Sequence, residues 1–344
     1  MKLGIIGHSG SGKKTLFEAF TGLSITTSQK QEDLFGTVTV PDERIQHLSN
    51  IYQPKKTIYA QVVYYLPAQI SGQKDAQKSE SIWSGLRNCD ALILVVRNFN
   101  MYGMPPPAPE NDYLKLSEDM ILADYLVVEK RIERIEKERN KKNVGNNELD
   151  LLKQCLDLLE KNQPIRNNQE LAMAPELKGF AFITARPVLI LFNNADEDNA
   201  LPDLPGCFAN ETVLPIRGKL EQELSQMTAQ EASEFLEEFE ISASAMTRII
   251  SASYELMGLI SFFTVGEDEV RAWTIPKNTR ADDAAGAIHT DFKKGFIRAE
   301  VLSYADFIDA NSKYAEARKK GTVRLEGKTY IVKDADIIHF RFNV

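Results

Sequence analysis

This sequence predicts an α/β fold built on a mostly parallel sheet, followed by a small α+β module. Three observations lead there. Apolar strand-like runs alternate with helical patterns, the arrangement that gives parallel sheets. The first run opens into a glycine-rich turn and then a helix. The last stretch, from about residue 261, changes to short β-rich runs around one helical segment.

In chain order, Met1–Ile6 reads as a short buried strand, and Leu16–Phe20 as the first apolar turns of a helix. Between them stands Gly7-His8-Ser9-Gly10-Ser11-Gly12-Lys13-Lys14-Thr15. Gly7, Gly12 and Lys13 fit the phosphate-loop pattern G-x-x-x-x-G-K-[ST]. Its glycines let backbone N–H groups of Ser9, Gly10 and Ser11 curl toward an anion at a helix N-terminus. Lys13 is expected to reach the β- and γ-phosphates. Lys14 stands where a hydroxyl normally supports Mg²⁺, and an ammonium cannot ligate a cation. Thr15 does not simply replace that hydroxyl, because one step along a helix turns the side chain by about 100°.

Further strands are expected at Gly36–Val40, Gln61–Leu66, Ala91–Val96, Val188–Phe192 and Thr212–Ile216. Residues 117–163 interrupt this rhythm with two apolar seams. One runs through Ile121, Tyr125, Val128, Ile132 and Ile135, the other through Leu149, Leu152, Leu156 and Leu159. Seams this narrow, joined by the polar turn Lys141–Asn147, predict an antiparallel helical hairpin of coiled-coil type. Residues 129–142 carry seven basic and four acidic side chains, which suit either a solvated face or a contact surface for RNA or a partner. In the C-terminal module strands are expected at Ala272–Ile275, Phe296–Val301, Thr329–Val332 and Ile337–Phe342, with a helix over Asp282–Thr290.

Composition narrows the classes of function. With 344 residues, 43 % hydrophobic and 26 % charged, the chain has ordinary globular character. No run approaches the roughly 18 apolar residues of a membrane span. Met1 leads directly into a strand, without a signal-peptide pattern, so a cytoplasmic protein is expected. The three cysteines and four histidines are scattered, which suggests neither disulfides nor a metal cluster. A net charge of −8 argues against a general nucleic-acid coat. Residues 261–344 are nearly neutral, with 14 basic against 13 acidic side chains, so local basic surfaces remain open there.

Three long segments carry a family likeness: Phe263–Pro276, Ala285–Val301 and Leu325–Val344. They strongly resemble the YchF family of Obg-related P-loop NTPases. Val40-Pro41-Asp42-Glu43-Arg44, Cys89–Arg97 and Arg186–Leu189 look like further landmarks of it. The resemblance implies a P-loop nucleotide-binding domain over 1–260, with the hairpin at 117–163 as an inserted coiled coil. It also implies a TGS domain, a ubiquitin-like β-grasp fold, over 261–344. It makes ATP or GTP the expected ligand, and a ribosome or RNA the expected partner through the TGS domain and the hairpin. A monomer is expected. For Arg271, Lys293, Lys294 and Arg298, ordinary surface ion pairs and RNA contacts both stay open.

Several positions depart from the family pattern. The strand-end D-x-x-G, whose Asp supports the metal shell, is here Leu66-Pro67-Ala68-Gln69. Thr26 and Thr27 are the nearest residues to a switch threonine. The glycine-rich second switch has become Ser71–Ser79, and the loop histidine has no counterpart between Arg97 and Ser117. Ile70, apolar where a catalytic Gln is usual in other GTPases, agrees with the family. No catalytic or metal-ligating residue is therefore assigned. Base recognition is expected from Asn193, Asn194 and Asp196, at the place of N-K-x-D, together with Arg217, Gly218 and Lys219. Two classes of function follow. One is a slow ATPase or GTPase switch; the other is a nucleotide-binding or nucleotide-free scaffold whose magnesium support and hydrolysis are impaired.

Overall fold

A computed structural model describes the chain apart from residues 27–31, 69–81, 140–146, 204–205, 239–243 and 344. The side chains of residues 138, 139 and 229 are also outside the description. Thr27, Gln69, Ile70, the Ser71–Ser79 stretch and most of the polar hairpin turn therefore lie outside the described residues. The chain divides into two compact units, Met1–Thr37 with Val63–Ile249, and Val38–Val62 with Ile250–Val344. A boundary at residue 260 would cut a strand, Leu259–Val265, and residues 38–62 join the C-terminal unit rather than the N-terminal one.

The first unit holds β1 (Lys2–Ile6), α1 (Lys13–Thr21), β2 (Leu34–Thr39, whose last two residues belong to the second unit), β4 (Gln61–Leu66, whose first two residues belong to the second unit) and β5 (Ala91–Asn98). The second unit takes α2 (Glu43–Tyr52) and β3 (Lys56–Ile58) from between them. The first unit continues with α3 (Pro109–Arg139), α4 (Asn147–Glu160), α5 (Gln169–Met173), β6 (Val188–Asn194), β7 (Thr212–Ile216), α6 (Gly218–Gln226) and α7 (Ala229–Glu238). Its sheet runs β2-β4-β1-β5-β6-β7. The β4/β1, β1/β5, β5/β6 and β6/β7 pairings are all parallel. Each expected strand of this sheet is present. β5 and β6 are buried along almost their whole length, as strands covered on both faces must be.

α3 begins eight residues before the expected hairpin, at Pro109, with Glu110 and Asp112 in its first turn. That start suits it, since Pro needs no N–H there and the acids are attracted to the positive end of the helix dipole. Tyr113 and Met120 pack with Leu92, Leu94 and Phe192 of the sheet, so the first part of α3 belongs to the sheet core. Farther on, Ile121, Val128, Ile132 and Ile135 meet Leu149, Leu152 and Leu159 of α4. Two seam expectations shift. Tyr125 and Leu156 are only partly covered, and Cys155 is the fully buried residue in that turn of α4. The hairpin base is held by Asp124, which is fully buried. It accepts hydrogen bonds from Arg87 Nη1 at 2.8 Å, Thr184 N at 2.7 Å and Thr184 Oγ1 at 2.8 Å.

The second unit adds α8 (Ala245–Leu256, begun in the first unit), β8 (Leu259–Val265), β9 (Glu269–Pro276), α9 (Ala281–Ile288), α10 (Thr290–Lys294) and β10 (Phe296–Ser303). It ends with α11 (Tyr304–Asp309), α12 (Tyr314–Lys319), β11 (Arg324–Glu326) and β12 (Asp336–Phe342). Its sheet runs β11-β10-β12-β8-β9-β3, with β12/β8 and β3/β9 parallel. α9 packs Ala281, Ala284 and Ala285 against Phe262, Ile275 and Phe296. Two expectations are corrected here. Thr329–Val332 is not a strand: Thr329 sits in a turn and only Ile331 makes an isolated bridge, to Arg280, while the strand lies earlier, at Arg324–Glu326. The helix expected over Asp282–Thr290 stops at Ile288, because His289 is extended (φ −160°) and caps α10 by accepting from Asp291 N.

Candidate functional site

The glycine loop bridges β1 and α1. Gly10 and Gly12 both adopt left-handed backbone, with φ of +80° and +92°. Only glycine takes that conformation without strain. Gly12 caps α1, whose chain returns through Leu16 N to Gly12 O at 2.9 Å. Inside the loop Ser11 N donates to His8 O at 3.2 Å, and Lys13 Nζ donates to the same carbonyl at 2.9 Å.

Beside the loop lies a cleft of about 630 Å³ at the carboxyl ends of β1, β5 and β6. Ser9, Gly10, Gly12, Lys13, Lys14 and Thr15 line one side, and Asn193, Asn194, Asp196 and Lys219 another. Gly7, Ser11, Arg217 and Gly218 do not line it. Ser11 is buried, with its hydroxyl lacking a hydrogen-bond partner. Phe99, Asn100 and Met101 complete the wall, and sequence reasoning did not select them. The signal was faint: apolar residues directly after a buried strand that neighbours β1.

Asn193 is the cross-link of the site. Its Nδ2 donates to Ser11 O and its Oδ1 accepts from Gly218 N, both at 2.9 Å. One buried amide thus ties the glycine loop to the start of α6. Asn194 is turned inward, with Nδ2 on Ala200 O at 2.6 Å and Oδ1 receiving Asn98 Nδ2 at 2.9 Å. Asp196 is exposed; its Oδ1 accepts Leu220 N at 3.2 Å and so caps α6, while Arg217 Nη1 reaches its carbonyl at 3.4 Å.

Burial and then the Lys14 charge bring the Lys13 ammonium down to about 8. Relative to the unfolded chain this penalty is full below pH 8 and disappears as pH rises toward the ordinary lysine value, so folding is favoured in that direction. Anion binding runs the opposite way, because a polyphosphate prefers the charged lysine. Triphosphate affinity is expected to fall as pH rises above about 8, with proton uptake on binding. Titration calorimetry in buffers of different ionisation enthalpy checks it; uptake absent at pH 8.5 would contradict the assignment.

Magnesium fits these residues poorly. Thr15, which carries a hydroxyl, and Lys14, which carries an ammonium, both line the cleft. The end of β4 carries Leu66, an apolar side chain 3 % exposed, in place of an acid. Among the described residues no group of three His, Cys, Asp or Glu side chains could hold a metal ion.

In the second unit the basic residues are partly neutralised. Arg271 stacks on Trp273 at 3.8 Å and lies 3.8 Å from Glu269. Lys293 pairs with Asp283 and Lys294 with Asp291.

A glycine cradle, a helix N-terminus and a polar turn at the ends of parallel strands define a phosphate-loop nucleotide-binding fold. Residues 259–343 match the YchF-GTPase_C family, described as a protein of unknown function (DUF933). The chain is 36 % identical to the "Ribosome-binding ATPase YchF" of Bacillus subtilis (strain 168), over 99 % of each chain. It is 34 % identical to the protein of the same name from Escherichia coli O157:H7, over 100 % of this chain and 99 % of that one. The solved structure of the Schizosaccharomyces pombe YchF GTPase is similar with a TM-score of 0.82 at 28 % identity, covering 99 % of this chain and 97 % of that one. The chain belongs to the YchF family. Among its described residues no helix is long and apolar enough to cross a membrane.

Proposed function

We propose that this chain binds ATP or GTP in the cleft beside the glycine loop, holds Mg²⁺ weakly, and hydrolyses the nucleotide slowly or not at all. The reading rests on one observation: a cleft of about 630 Å³ joining the Lys13 cradle to the Asn193–Asp196 turn at the strand ends. Clefts of that size suit a nucleotide, and that end of an α/β sheet is where ligands bind. Lys13 and Lys14 supply charge to the phosphates, and Asp196 offers a carboxylate to the donors of a base.

The weak hold on metal follows from the ligand chemistry. Mg²⁺ at such sites keeps most of its water and relies on a few protein oxygens. A lysine and a buried leucine stand where two of those oxygens are expected. Phosphoryl transfer depends on positioned charge, so its rate suffers when the metal is poorly held. The relatives named ribosome-binding ATPases support association with a ribosome, through the C-terminal unit, the hairpin, or both. On this reading the protein works as a cytoplasmic monomer.

One titration tests the proposal. Calorimetry with ATP and GTP, with Mg²⁺ and then with chelator, is expected to show affinities that differ by no more than about threefold. Phosphate release measured in parallel is expected to stay at background. A strong magnesium requirement accompanied by repeated turnovers would reverse the conclusion.

A further inference from the structure

The first unit contains another cavity, of about 410 Å³, that shares no residue with the nucleotide cleft. It is walled by α5, the 3₁₀ turn Pro175–Phe180 that follows, and the segment leading into β6. Its inner wall is apolar: Leu171, Leu177 and Phe182 line it and are 3 %, 4 % and 3 % exposed. Phe180 stacks on Phe182 with ring centroids 5.2 Å apart, which fixes that ring in place. Ala172 lines the cavity too, and its short side chain leaves room that a larger one would fill.

Against this apolar wall stand two cations, Lys178 and Arg186, and among the described residues no carboxylate lines the cavity. Lys178 is exposed, and its ammonium forms no ion pair with a described residue. Arg186 donates from Nη2 to Arg87 O at 3.2 Å, pairs with no described acid, and keeps a buried Nε without a hydrogen-bond partner. A guanidinium carries five N–H donors, so most of its capacity is unspent. The acid buried beside this segment is already committed. Asp124 accepts from Arg87 and from Thr184, two residues before Arg186.

We infer that this cavity binds a small anionic amphiphile, its carboxylate held by Arg186 and Lys178 and its apolar tail laid along Leu171, Leu177 and Phe182. The volume falls in the range of small-molecule sites. The two cations select the head, since a carboxylate matches the guanidinium fork and an amine is repelled. The covered wall selects the tail, because filling it removes more apolar surface from water. The ligand is a fatty acid rather than a peptide end: apart from the two cations, no polar side chain lines the cavity to answer a peptide's amides.

The test separates head from tail. Full-length chain is titrated by calorimetry with decanoate below its micellar concentration. Decanol and decyltrimethylammonium keep the tail without the negative charge, acetate keeps the charge without the tail, and N-acetyl-glycyl-phenylalanine puts a carboxylate on a peptide. Decanoate is expected to bind about tenfold or more tighter than each of the four. Arg186→Gln should weaken it about tenfold, and Lys178→Gln about threefold because an exposed charge contributes less. Ala172→Leu, which narrows the cavity, should weaken decanoate while leaving ATP affinity unchanged. Thermal unfolding checks each variant, and Lys178→Gln and Ala172→Leu carry the test if Arg186→Gln folds poorly. Absence of decanoate binding, or decanol bound equally well, would overturn the assignment. So would tighter binding of the dipeptide, or full decanoate affinity in the three folded variants.

Discussion

Lys14→Ser, alone and with Leu66→Asp, is expected to change the protein from indifferent to magnesium into dependent on it. An ammonium ~4 Å from a divalent ion opposes its binding by several kcal/mol at an effective dielectric of ~20, before solvent screening. Removing that charge and adding a hydroxyl should raise the dependence of ATP or GTP affinity on Mg²⁺ at least about tenfold. Leu66 lies at the end of β4, beside β1, and is 3 % exposed. An aspartate there restores an anionic support but places a carboxylate in a covered position, at a cost of several kcal/mol until a cation arrives. The double variant should therefore be less heat-stable than the parent in chelator, and Mg²⁺ with nucleotide should return part of the loss. Its phosphate release should exceed that of Lys14→Ser alone. The single variant keeps the question answerable if the double one folds poorly. Metal independence in both would mean that these two positions are not what limits the site.

The second large effect concerns the join between the glycine loop and α6. At Gly12 an added Cβ would meet Asn193 Nδ2 at 2.1 Å, with the backbone already at φ +92°. Gly12→Ala therefore combines left-handed strain, worth about 1–2 kcal/mol, with a collision against a buried amide that has no room to move. The expected result is loss of triphosphate affinity by about 100-fold or more, because the loop must open to relieve the contact. Asn193→Ala removes the colliding group but leaves Ser11 O and Gly218 N without their partner. Each such buried group costs about 1–3 kcal/mol. The two substitutions should not add: the double variant should be more stable than the sum of the single losses, because the clash is absent once Asn193 is gone. Thermal unfolding of the four proteins provides that cycle. Strict additivity would show that Gly12 and Asn193 act separately.

Much of this architecture is legible in the sequence. β4 and β7 have the expected limits, and the other strands of the first sheet differ by one or two residues at their ends. Their apolar runs were long enough to leave no competing period. The misses share one cause, which is that the pattern was local and the deciding contact was distant. Thr329–Val332 has strand composition, yet Tyr330 is drawn to Asp336 and Ile331 to Arg280. The seam through Leu156 was a reasonable heptad, but Cys155 packs more deeply beneath the segments that follow the hairpin. Short strand β3 was not among the expected strands, and it is a strand because β9 offers it an edge.

The site shows the same split. Gly7, Gly12 and Lys13 stood out because a phosphate cradle needs a close backbone approach at Gly7, a positive-φ glycine at Gly12 and a cation at fixed offsets, and that requirement is written in sequence order. The substitutions at Lys14 and Leu66 were equally plain, since a missing oxygen is visible in one letter. What Asn193 and Asn194 do with their amides was not visible. Both occur in a polar turn that could face a base, and apart from Ala200 their actual partners lie far along the chain: Ser11 and Gly218 for the one, Asn98 for the other. Phe99 and Met101 became part of the cleft only because β5 is laid next to β1 in the sheet. Covalent order and residue chemistry thus determined the fold class and the phosphate cradle, both of which depend on short-range backbone geometry. Tertiary structure alone decided which polar atoms are spent inside the protein and which remain for a ligand, because that depends on strands and loops brought together from opposite ends of the sequence.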